Sequence, residues 1–117
     1  MIIGVGVDLV DLARFERAIT KTPRLVERLF TAGERNGSTR TLAGRFAAKE
    51  AMIKVVGDPR GMQWHEVEIT RDTLGKPTLT THGATASIAQ AAGIEKWHVS
   101  ISHDGGKAVA VVVGESA

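Results

Sequence analysis

The 117-residue sequence has no cysteine and no tyrosine, only three prolines, and aromatic residues at 4%. Without cysteine there can be no disulfide, no thiolate metal site and no cysteine nucleophile. A metal ion would have to sit on carboxylates, histidines or carbonyls, a donor set that favours a hard cation. So few aromatics leave few platforms on which bases could stack, which argues against a nucleic-acid partner. A long hydrophobic run is also missing. The apolar start, Met1 to Val10, is interrupted by Asp8, lacks a basic flank and falls short of the roughly 20 residues that span a bilayer. The expectation is a cytoplasmic protein with no membrane partner, its first segment a buried strand.

Charge is nearly balanced: fifteen Lys and Arg against thirteen Asp and Glu give a net +2. That mild bias suits an anionic ligand or an acidic partner without demanding either. With 43% hydrophobic residues the chain can fill one core, and its length leaves no room for two ordinary domains. One domain is expected over residues 1–117.

Alternation over Ile2 to Val10 puts Ile3, Val5, Val7 and Leu9 on one face of a strand and Gly4, Gly6 and Asp8 on the other. Leu12 to Ile19 reads as a short helix capped by Asp11 or Asp8, and Leu25 to Phe30 as a second helical piece. The polar run Thr31 to Thr41 reads as a mobile loop. Leu42 to Val56 is the longest expected helix, and Leu42, Phe46, Ile53 and Val56 form a stripe that should face the core. Ala43, Ala47 and Ala51 form a second row, small enough for another element to pack closely, and Glu50 and Lys54 project between the two. Beyond a Gly57 to Gly61 loop come strands at Glu66 to Thr70 and Thr78 to Thr81, joined by a Leu74 to Pro77 turn. A helix follows at Thr85 to Ala92. The chain closes with a hairpin from Trp97 to Val113 that turns at Asp104-Gly105-Gly106. The fold class is therefore α+β: a mainly antiparallel sheet packed with one long helix and several shorter ones.

Six side chains are candidates for chemistry: Asp8, Arg45, Lys49, Glu50, Lys54 and His103. Asp8 ends an apolar strand and Glu50 interrupts an alanine-rich helix, so each carboxylate needs a partner if it is buried. Asp8 could cap the next helix and Glu50 could pair with Lys54 one turn on, a contact worth only a few tenths of a kcal/mol. Alternatively, two carboxylates with Arg45, Lys49 and Lys54 nearby would suit a magnesium ion bridging to phosphates. Lys49 falls on the apolar stripe, so its charge must reach the rim or meet an anion. His103 shares a strand face with Trp97, Val99 and Ile101 and sits just before the tight turn. It is either a hydrogen-bonded edge residue or a phosphate ligand and proton carrier.

Read as ordered strings, these residues carry more. Gly4-Val5-Gly6-Val7-Asp8-Leu9-Val10 with Arg14, then Gly44-Arg45-Phe46-Ala47-Ala48-Lys49-Glu50-Ala51 with Lys54 and Gly57, resemble the two signature motifs of the holo-acyl-carrier-protein synthase family. Phe30-Thr31, Glu34, Glu66 to Ile69, Gly75-Lys76-Pro77 and Val99 to Asp104 extend the likeness over nearly the whole chain. The resemblance implies that Asp8 and Glu50 hold magnesium and that Lys54 contacts coenzyme A phosphates. It places Arg45, Gly57, Pro77 and His103 around the coenzyme and turns Arg14 toward an acidic carrier protein. It further implies a homotrimer with active sites between protomers.

On that reading Asp8, Glu50, Lys54 and His103 are the catalytic residues. A serine of an apo acyl carrier protein or carrier domain attacks the β-phosphorus of coenzyme A, and 3′,5′-adenosine bisphosphate leaves. Positioning and charge neutralisation then dominate catalysis. Glu50, a water on the metal or His103 are equally placed by the sequence to accept the serine proton. The competing readings are a non-catalytic oligomeric module that binds a nucleotide or acidic peptide, and another metal-dependent phosphotransferase. The apolar content of the Val99, Ile101 and Ala108 to Val113 strands, and the second row on the long helix, point to a subunit interface.

Overall fold

A computed structural model describes residues 1–117. Strand β1 (Ile2–Asp11) leads into helices α1 (Leu12–Lys21), α2 (Arg24–Leu29) and α3 (Thr39–Val56). A short 3₁₀ turn (Trp64–Glu66) precedes strands β2 (Val67–Arg71) and β3 (Pro77–Thr81), helix α4 (Gly83–Ala91) and strands β4 (Lys96–Asp104) and β5 (Lys107–Glu115). β2 and β3 form an antiparallel pair, and the other three strands form an antiparallel sheet in the order β1-β5-β4. The architecture is the expected α+β arrangement of antiparallel sheets around one long helix.

The helix lies across the three-stranded sheet, and small residues decide how closely. A Cβ on Gly6 would stand 1.9 Å from the Ala51 carbonyl oxygen, and one on Gly44 would stand 2.8 Å from Ile101. Neither position admits a side chain. Ala43, Ala47 and Ala51 of α3 meet Ala108, Ala110 and Val112 of β5, all fully buried. The alanine row is thus the sheet-facing surface, and it is covered within the chain.

The stripe expected to face the core behaves differently. Phe46, Ile53 and Val56 are only half-buried, while Ala48, Met52 and Val55 are buried in their place. The helix is wrapped by the sheet, by α1 and α2, and by β2, so its apolar residues occur all round and no single stripe defines its inside. Phe46 stacks on Phe15 of α1 at 5.7 Å and tilts against Trp64 at 5.8 Å, while Phe15 meets Phe30 edge-on at 6.5 Å. Four of the five aromatic side chains thus make one cluster, each pair worth about 0.5–1.5 kcal/mol beyond its buried area.

The apolar face of β1 is likewise reversed from the expectation of burial. Gly4, Gly6 and Asp8 face the helix, while Ile3, Val5, Val7 and Leu9 point away from it and are exposed, Leu9 by 62%. Val5, Val7 and Leu9 lie opposite Val113, Val111 and Val109 of β5, so the outer surface is continuously apolar across two strands. Val99 and Ile101, by contrast, sit on the helix side of β4.

Local signals explain several element ends. The Asp11 carboxylate, and not that of Asp8, accepts the Arg14 N–H at 2.9 Å and caps α1. Ser38 caps α3 by accepting from the Thr41 N–H, which starts that helix three residues before Leu42. Gly105 and Gly106 take φ of 57° and 76°, as a two-residue hairpin turn between β4 and β5 requires.

Candidate active site

Sequence-expected site residues gather in two separate clefts on either side of α3. The first, of about 530 Å³, lies between β1, α1 and α3 and is lined by Asp8, Glu50 and Arg14 over an apolar floor of Phe15, Phe46 and Trp64. Asp8 reaches it because strand alternation puts it on the helix side with the two glycines. Lys54 donates from Nζ to Asp8 Oδ1 at 3.2 Å and to the Val7 carbonyl at 2.8 Å. Asp8 therefore does not cap α1, and the lysine's hydrogen bonds go to β1 instead of to Glu50 one turn away. Burial pushes the Glu50 carboxyl above its usual range, the negative charge of Asp8 pushes the same way, and Lys54 opposes both. Asp8, Asp11 and Glu50 stand against Arg14 and the neighbouring Lys54, so acidic groups outnumber basic ones at this cleft.

The second cleft, of about 160 Å³, lies between the start of α3, the β2–β3 pair and β4. Arg45, Pro77 and His103 meet there, joined by Thr41, Thr70 and Arg71. Its ionisable side chains are all basic. Burial lowers the Arg45 pKa, Glu34 opposes this, and the Arg71 charge adds to it. Arg45 is tethered by donating from Nη1 to the Glu34 carbonyl oxygen. The His103 Nε2 lies 2.9 Å from the Arg40 carbonyl, so that nitrogen carries the proton and donates, and Nδ1 is left for other partners. Arg71 escaped the sequence reading because it follows the alternating strand as one more exposed polar residue. Its register partner is Pro77, which brings it to the cleft.

Gly57 lines neither cleft. It ends α3 with φ of 91° and has open space where a Cβ would stand.

Lys49 takes the anion alternative and not the rim. It is fully buried, and its three protons go to Glu34 Oε1 at 2.6 Å, the Leu29 carbonyl at 2.8 Å and the Trp64 carbonyl at 3.0 Å. Burial lowers its pKa and the contact with Glu34 opposes that shift. Glu34, equally buried, also accepts from the Thr31 and Ile69 N–H groups, each at 2.8 Å. The segment read as a mobile loop is therefore pinned at its centre, through a carboxylate whose partner lies fifteen residues on.

Comparison with known proteins bears on the chain as a whole. The family described as the 4′-phosphopantetheinyl transferase superfamily matches residues 4–112. A holo-[acyl-carrier-protein] synthase of Renibacterium salmoninarum is 50% identical over 116 residues, covering 99% of this chain and all of its own. Among solved structures, the holo-[acyl-carrier-protein] synthase from Neisseria meningitidis superposes with a TM-score of 0.90 at 34% identity, covering 99% of this chain and 100% of that one. A holo-(acyl-carrier-protein) synthase from Bacillus anthracis in complex with CoA (3′,5′-ADP) superposes with a TM-score of 0.81 at 38% identity, covering 100% of this chain and 99% of that one. With sequence, fold and near-complete coverage in agreement, this chain belongs to the 4′-phosphopantetheinyl transferase superfamily.

Proposed function

We propose that this chain is a single-domain transferase that moves the phosphopantetheine arm of coenzyme A onto a serine of an apo acyl carrier protein or carrier domain, releasing 3′,5′-adenosine bisphosphate. The observation that carries the reading is full-length similarity to holo-acyl-carrier-protein synthases, one of them solved with CoA (3′,5′-ADP). A non-catalytic binding module has no comparable support.

The serine oxygen forms a bond to the β-phosphorus as the bond to the departing adenosine bisphosphate breaks, and the serine proton passes to a base. Asp8 and Glu50 would hold a magnesium ion. The donor chemistry fits: two hard oxygen ligands share one cleft, where burial and the Asp8 charge raise the cost of ionising Glu50. When bound, magnesium supplies positive charge that neutralises the pyrophosphate oxygens. Lys54 offsets charge on the leaving group. Arg45, Pro77 and His103 enclose the adenosine end, where the basic lining of the second cleft suits a phosphate. Gly57, at the end of α3, completes the coenzyme contacts, with open space where a Cβ would stand. Arg14, at the mouth of the carboxylate cleft, faces the acidic carrier.

The working form is a cytoplasmic homotrimer. Two observations support the assembly: an exposed sheet face that is apolar across β1 and β5, and the division of the site residues between two clefts of one chain. Asp8, Glu50 and Lys54 of one protomer then work with Pro77 and His103 of the next. No helix is long and apolar enough to cross a membrane.

The test is incubation with coenzyme A, magnesium and apo acyl carrier protein, followed by weighing the carrier and measuring released adenosine bisphosphate. The carrier gains one phosphopantetheine per bisphosphate released. Asp8→Ala and Glu50→Ala each lower turnover by about a hundredfold or more while the chain stays folded. A carrier of unchanged mass, or a variant with near-normal rate at saturating magnesium, refutes the assignment.

A further inference from the structure

The transferase reading leaves one feature without a role: the Lys49–Glu34 ion pair, sealed from solvent with both side chains at 0% exposure. Stability alone does not account for it, because apolar residues of similar size often replace a buried ion pair at no cost. Its position is more informative than its charge.

Each partner reaches one cleft. Lys49 holds the carbonyls of Leu29 and Trp64, two residues that line the carboxylate cleft. Glu34 holds the N–H of Ile69, a residue of the basic cleft, and its own carbonyl oxygen receives Arg45 Nη1, the guanidinium of that cleft. Arg45 has no carboxylate to pair with, so its position depends on a loop carbonyl. Glu34 is held by one backbone bond, from its own N–H to the Thr31 carbonyl at 3.0 Å, and by its side chain, which is locked to Lys49, Thr31 and Ile69. Lys49 and Glu34 themselves line neither of the two clefts.

We infer that Lys49 and Glu34 are positioning residues that set the Arg45 guanidinium at its anion-binding station, so that coenzyme affinity depends on a pair that never touches the coenzyme. The inference rests on the transferase reading and deepens it. A misplacement of about 1 Å in such a group costs up to about a hundredfold in rate. The carbonyl anchor therefore matters at the scale of one methylene.

Removing either charge would strand the other in the core and unfold the chain. The test therefore uses variants that keep both charges and move them. Glu34→Asp shortens the carboxylate arm by one methylene and draws the loop carbonyl toward Lys49. Steady-state kinetics with coenzyme A and apo acyl carrier protein should show the coenzyme KM raised about tenfold, with the carrier KM nearly unchanged. Arg45→Ala should raise the coenzyme KM in the native background yet add less than about threefold in the Glu34→Asp background. Multiplicative effects of the two changes, or an unchanged coenzyme KM in a folded Glu34→Asp variant, overturn the inference. If Glu34→Asp does not fold, Lys49→Arg carries the same cycle, because its guanidinium keeps the charge and enough donors for all three acceptors. Calorimetric binding of coenzyme A gives that cycle without turnover. A wild-type chain that binds coenzyme A but transfers nothing therefore refutes the transferase reading while the positioning claim is still decided.

Discussion

The two faces of the three-stranded sheet are built on opposite rules. Toward α3 the strands present Gly4, Gly6, Ala108, Ala110 and Gly114, and the helix answers with alanines, so the two backbones approach until Gly6 touches the Ala51 carbonyl. Away from α3, β1 and β5 present Ile3, Val5, Val7, Leu9 and Val111, which are larger apolar side chains and stay exposed. The difference shows that burial here follows shape before hydrophobicity. Along β1 the glycine face is buried because it is flat enough to fit, and the more hydrophobic face is left to bind something else. On the proposed reading, that something is two further copies of the chain.

The comparison breaks most severely at Gly6. Gly6→Val would drive a side chain into the backbone of α3, and the cost should be about 3 kcal/mol or more, seen as a lower urea midpoint or no folded protein at all. A well-folded variant with an unchanged midpoint would mean that the helix is not held against the strand. On the outer face an equally drastic change should leave the fold alone. Val7→Asp with Val111→Asp places charges on adjacent outer positions, and the far-ultraviolet circular dichroism of the chain should be preserved. Sedimentation should then show a monomer in place of a trimer, with transfer activity lost alongside. Retention of the assembly would move the interface elsewhere.

A smaller effect is expected at Glu50, where function and fold pull apart. Its pKa is raised by burial and by Asp8, so ionising it costs the folded state. That cost is complete above the raised value and vanishes below the ordinary carboxylate range. In magnesium-free buffer Glu50→Gln should therefore melt a few degrees higher than the native chain near pH 7, with the gain disappearing as the pH falls toward about 4. Thermal melts across that range check it. A gain that grows on acidification would show the opposite sign of shift.

Much of the architecture was legible from alternation and turn chemistry. The strand period in Ile2 to Val10 sorted its side chains correctly onto two faces, and Gly105-Gly106 marked the hairpin. Which face would be inside was not legible, because hydrophobicity favours the isoleucine and valine side, whereas only knowledge of the helix's alanine row reveals the glycine side as the complementary one. The stripe on α3 misled for a related reason: a helix wrapped on several sides has no single inward direction. Within the site, ordered strings brought forward Asp8, Glu50, Arg45, Pro77 and His103, and the fold gathers them into two clefts. Glu34 as the partner of Lys49 stayed hidden because its neighbours in sequence are those of a polar loop. Arg71 stayed hidden because its significance comes only from pairing with Pro77.

The register of the sheet also bears on how the molecule is made. β5 occupies the centre and β1 is paired only to it, so Val7 waits for Val111 across nearly the whole of these 117 residues. Contacts so distant in sequence form slowly, because loop closure must precede any gain from pairing. During synthesis Asp8 emerges well before Ala110, its register partner on the central strand. Asp8, proposed above as a metal ligand, therefore sits on a strand whose sheet pairing is among the slowest contacts of the fold to form.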